Sequence, residues 1–159
     1  MTFSRSSDDP PPLLTWTDVT AGAPSIMGFA ALAGRAIATG ATLQGELTPH
    51  ALAILFAARE RGSIEIKAIK NAYDSSQRLL AVHVELAPER LLAFRSRTNP
   101  QFTIAMLDGF RQLCAAGLVM HHLGHDFSLT HAGLQAGAGV VEAAVAPLLA
   151  QAVELDFGE

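Results

Sequence analysis

The stretch Pro100 to Gly133, PQFTIAMLDGFRQLCAAGLVMHHLGHDFSLTHAG, constrains this chain more than any other. Asn99 is a capping residue, and Pro100 brings the φ that suits a first helical position. Met106, Leu107, Phe110, Leu113 and Cys114 then recur with the 3.6-residue period of one apolar helix face. Gly117 stands where such a helix should end. Leu118-Val119-Met120 and Phe127-Ser128-Leu129 read as short strands around the turn Leu123-Gly124-His125, and Thr130 is placed to cap a further helix. Helix, hairpin and helix start therefore follow one another with almost no spare residues.

The flanking chain is read from that anchor. Residues 1–24 are acidic and rich in proline, the composition of a flexible arm, with Leu13, Leu14 and Trp16 as its apolar anchors. Residues 25–46 read as a weak helix, interrupted by Gly28 and Gly34 and closed by Gly40, then a linker. Thr48-Pro49 starts a second helix, with Leu52, Leu55, Phe56 and Arg59 on one side and Gly62 as its stop. Ser63 to Ile66 alternates as a short strand, and Lys67 to Tyr73 reads as helical turns, with Asp74 capping another through Arg78. In 79–96, Leu80, Val82, Val84 and Leu86 alternate with Ala81, His83 and Glu85, and a turn at Ala87 to Arg90 returns the chain as a β-hairpin. Residues 134–159 read as a C-terminal helical segment broken by glycines and Pro147. Val141, Val145, Leu148, Ala152 and Leu155 make a narrow apolar seam there, suited to packing on the parent domain or to a homodimer contact. The fold class expected from this order is α+β.

Charge narrows the functions. The chain of 159 residues carries a net −4, unevenly placed. Both ends are acidic, whereas residues 47–131 hold nine Lys/Arg against seven Asp/Glu, a mildly basic module between acidic flanks. The single Cys114 excludes an internal disulfide and falls on an apolar helix face, as a packing thiol does. The N-terminus lacks the basic-then-apolar order of a signal peptide, and the apolar run Ala21 to Gly34 is too short to cross a bilayer. The expectation is a cytoplasmic protein without a membrane partner.

The order helix 49–61, strand, short helix, long helix 100–116, then a hairpin closing in FSLTHAG resembles a winged-helix domain. Gly117-Leu118-Val119 and Leu129-Thr130-His131-Ala132-Gly133 match the family's strand and helix pattern around the wing. The resemblance covers 47–133 and implies a winged-helix-like core, here with an inserted β-hairpin and a C-terminal helix. It also implies a DNA-associated transcriptional regulator, in which the long helix would read a groove. The helix face opposite Phe110 holds Gln101, Ala105, Asp108, Arg111, Gln112 and Ala115, so Arg111 and Gln112 are its base-reading candidates. Arg90, Arg95 and Arg97 on the hairpin are candidates for phosphates or a partner surface. A face so poor in cations equally suits a protein–protein adaptor that keeps the scaffold without DNA binding.

Catalytic chemistry finds no foothold. The chain has no GxSxG elbow, P-loop or strand-borne GxGxxG, so it reads as a non-enzyme without a cofactor. His121, His122, His125, Asp126 and His131 crowd into eleven residues. Strand geometry sends His121 and His122 to opposite faces, so no metal is assigned to them.

Overall fold

A computed structural model describes residues 23–40, 46–68, 79–96 and 98–156. Among the described residues it contains five helices and one six-stranded antiparallel sheet, the α+β class expected. The helices are α1 (Ala23–Thr39), α2 (Pro49–Ala58), α3 (Pro100–Ala115), α4 (His131–Ala138) and α5 (Glu142–Leu149). The strands are β1 (Ser63–Ala68), β2 (Leu80–Ala87), β3 (Arg90–Phe94), β4 (Val119–His121), β5 (Asp126–Leu129) and β6 (Val153–Asp156). They lie side by side in the order β4-β5-β1-β2-β3-β6. Of the arm proposed for 1–24, residues 1–22 lie outside the described residues, as do 69–78 of the turns proposed from Lys67 to Arg78, and Arg97; Ala23 and Pro24 begin α1.

Two-residue periodicity sets the register. Ile64 pairs with Val84 and Phe127, Val84 with Leu92, Ile66 with Val82, Val82 with Phe94, and Val119 with Leu129. Every one of these apolar side chains is buried, so one face of the sheet is a continuous apolar floor. The helices lie on it. Phe110 of α3 is clasped edge-on between Phe29 of α1, at 5.3 Å, and Phe127 of β5, at 5.0 Å.

Thr48 caps α2 by accepting from Ala51 N, as its sequence position requires. The helix is not amphipathic in the expected way, however. Ala51, Ala53, Ile54, Leu55, Ala57 and Ala58 are fully buried while Leu52 and Phe56 are only half covered, because α3, α4 and α5 surround it. Small residues let those helices come close. Gly109 of α3 approaches the backbone of His50 and Ala51, and Gly137 of α4 approaches Leu55 O. Gly133 and Gly137 therefore do more than loosen a helix.

Three further readings are corrected. Lys67 and Ala68 continue β1 rather than begin a helix, because both remain in register with β2. The outward face of the hairpin is not open throughout, since Ala81, His83 and Ala93 are buried as well. The C-terminal segment is helical only to Leu149. Its seam breaks there, with Val145 buried in the domain, Val141 exposed, and Leu155 in β6 paired with Leu91.

Candidate functional site

The long helix α3 begins at Pro100, but Asn99 makes no side-chain cap bond. The entry is instead tied by Ser96, whose Oγ accepts from Asn99 N while its own N donates to Thr103 Oγ1. Phe102, Thr103, Met106, Gly109, Phe110, Leu113 and Cys114 face the core. Burial raises the Cys114 thiol to about 12, so it remains protonated. This leaves Gln101, Ile104, Asp108, Arg111 and Ala115 outward, with Gln112 half-buried.

That outward face is internally satisfied. Arg111 Nε donates to Asp108 Oδ1 at 2.8 Å, and this hydrogen bond lowers the Asp108 carboxyl and raises Arg111. Gln112 Oε1 accepts from both the N and Oγ1 of Thr48, and its Nε2 donates to Asp108 Oδ2. Gln112 thus fastens the start of α2 to α3, and little of it is left for a ligand. On the hairpin, Arg90 pairs with Glu154 of β6 at 2.9 Å. Arg95 follows the other end of β3, roughly 17 Å away at 3.3–3.4 Å per residue, and its buried Nε has no hydrogen-bond partner. The helix pair Arg111–Gln112 and the hairpin arginines are therefore not assembled into one cluster of free cations among the described residues.

A different set of groups does converge. The sheet face opposite the helices carries a row set by register, with Asp126 opposite Glu65 and Glu65 opposite His83. Beside it an open groove of about 490 Å³ is lined by Ser63, Glu65, His83, Glu85, His122, Asp126 and Ser128, with Leu91 and Phe127 as its apolar portion. Glu85 is held by Arg61 at 3.0 Å, and Lys67 lies 3.4 Å from Glu65 Oε1. His83 is only 4% exposed. Its Nδ1 is 3.1 Å from Ala81 O and donates to it, which fixes the neutral tautomer with a lone pair on Nε2. Burial pulls His83 down to about 4, against the smaller opposing effect of that bond; Lys67, Arg95 and His125 add to the lowering.

The histidine-rich turn divides as strand geometry requires. His121 leans on Phe127, ring centroids 4.8 Å apart, and its Nε2 donates to Gly124 O at 2.8 Å, bracing the turn. His122 points to the groove, where its Nε2 donates to Ser128 Oγ. His125 reaches Glu65 and Asp126 instead of either neighbouring histidine. His131 is exposed at the start of α4. Sequence reading passed over Glu65 and His83 as members of this constellation. The signal available was their outward position in two alternating strands, which becomes a contact only once register is known.

Compared with known proteins, the chain matches no family model, no curated protein and no solved structure. Among the described residues no single helix is long and apolar enough to cross a membrane, and α4 and α5 are bent by 98°.

Proposed function

We propose that this chain is a non-catalytic interaction module, a winged-helix-like scaffold that binds a protein partner rather than reading DNA. One observation carries the reading. The face of α3 that would enter a groove has its one cation held by Asp108 and its one useful amide committed to Thr48. A recognition helix must present free donors to base edges and positive charge to phosphates. This one presents a carboxylate beside its only arginine. The resemblance itself is supported by the order of α2, β1, α3 and the β4–β5 hairpin, with β5 pairing back onto β1. A cytoplasmic setting fits the single free thiol, Cys114, and the partner class includes a second copy of the chain.

The test is binding of the full chain to random-sequence duplex DNA at two ionic strengths, followed by fluorescence anisotropy. The expected result is no binding even at low salt. Binding that falls steeply with salt would report released counterions and overturn the reading in favour of a DNA-associated regulator. In that case Arg90→Glu with Arg95→Glu should abolish it.

A further inference from the structure

The row on the sheet face opposite the helices has a chemistry that partner docking does not require. His125 Nδ1 lies 3.4 Å from Asp126 Oδ1 and 3.5 Å from Glu65 Oε2. One ligand atom from each of the three residues falls within 4.8 Å of the other two. Nitrogen and oxygen donors sit about 2.0–2.2 Å from zinc, which places neighbouring donors roughly 3.0–3.5 Å apart along a coordination edge. The two His125 separations match such an edge. One imidazole with two carboxylates is also a donor set for zinc, cobalt or nickel rather than for the all-oxygen magnesium or calcium sites.

A second observation comes from another strand. His83 stands directly across from Glu65, is 96% buried by its 4% exposure, and lines the same groove. Its Nδ1–H is bound to Ala81 O, the arrangement that orients a metal-binding imidazole and leaves the Nε2 lone pair as the ring's ligand atom. The backbone around the cluster is fixed as well. Ile66 N donates to His125 O at 3.0 Å and Asp126 N to Leu123 O at 2.9 Å, so the turn is tied to β1 at the ligand positions. Lys67 engages Glu65 through Oε1, leaving Oε2 towards His125.

We propose that Glu65, His125 and Asp126 form a binding site for a divalent first-row transition cation, with His83 across the strand pair from Glu65 in the wall of the same groove. Glu65 and Asp126 supply oxygen, His125 supplies nitrogen, and the groove leaves a remaining position open to water or a ligand atom. The site stands independently of the partner reading, since neither needs the other.

Tag-free full-length protein titrated with cobalt(II) chloride at pH 7.5 tests it through the visible absorption of bound cobalt. One saturable equivalent is expected, displaced by zinc chloride. His125→Ala and Asp126→Asn, both at exposed positions, should each weaken cobalt binding by about tenfold or more, and His131→Ala should leave it unchanged. Zinc should raise the thermal midpoint of the unmodified chain and not that of His125→Ala, a readout that separates lost ligation from lost folding. Absence of a saturable spectrum overturns the proposal. So does equal binding in His125→Ala and Asp126→Asn, or an equal loss in His131→Ala, which would mark the histidines as collective surface ligands.

Discussion

Replacing Gly109 by alanine tests the helix packing because two effects of similar size oppose each other. Helix propensity alone favours the change by about 1 kcal/mol. The structure says otherwise. A Cβ at Gly109 would stand 2.8 Å from Ala51 N, 3.0 Å from His50 C and 3.1 Å from His50 Cβ. Ordinary contact begins at 3.4 Å, so the backbones of α2 and α3 must part by about 0.6 Å. A gap of that size forfeits roughly a quarter to a half of each van der Waals well along the seam. Overpacking of this kind costs about 1–3 kcal/mol, and backbone atoms cannot rotate away. The net expectation is a loss on the order of 1 kcal/mol. Gly28 of α1 supplies the control, since nothing lies within 4 Å of its Cβ position and the residue is exposed. Gly28→Ala should gain about 0.5–1 kcal/mol. In urea denaturation followed by far-UV circular dichroism, with a slope of about 2 kcal/mol/M, the midpoints should move about 0.5 M in opposite directions. A Gly109→Ala midpoint equal to or above that of the parent chain would refute the close crossing of α2 and α3.

Three other expectations follow from buried or committed groups. His83 titrates near 4 in the fold against 6.5 in the open chain, so below pH 6.5 the unfolded state binds the proton first. Its contribution is complete above pH 6.5 and falls as pH drops to about 4, by up to about 3 kcal/mol; His83→Gln should flatten that part of a stability–pH curve measured by urea titration. Cys114, held near 12, should not react with a disulfide reagent at pH 8 until urea unfolds the chain, and rapid labelling of native protein would contradict its burial. Gln112→Ala should lower stability by about 1 kcal/mol through lost bonds to Thr48, and a neutral effect in the same urea assay would show that the link between α2 and α3 is dispensable.

Local signals made most of the elements legible. Proline after a capping residue marked the start of α2, glycine with positive φ marked the ends at Gly62 and Gly117, and the alternation at 80–86 marked β2. These cues act within a few residues, so one chain suffices to read them. Burial around α2 was not legible, because a helix enclosed by three others loses the one-sided pattern that announces a surface helix. Lys67 misled for a related reason. Its charge falls on the polar position of the alternation begun by Ile64-Glu65-Ile66, and on β1 it stands outward beside Glu65, on a strand paired on both sides. The arginines and glutamine proposed for a ligand were legible as residues but not as commitments. Asp108 is one turn from Arg111 and could have been read as its partner, whereas the bond from Thr48 to Gln112 spans 64 positions and exists only in the fold.

The polar row raises the same issue at a longer range. Asp126, Glu65 and His83 belong to three strands and share no local motif; what assembles them is the register of residues one position away. Phe127, Ile64 and Val84 meet in one row because they are apolar, and their immediate neighbours must then meet on the other face. A slip of one residue would send two carboxylates and an imidazole into the floor beneath α3, where none could be solvated. The burial that stabilises the sheet therefore positions the row as well, with no contribution needed from the row itself. The imidazole and the two carboxylates of that row are thus placed by the packing of the opposite face, which is why no local motif announces them.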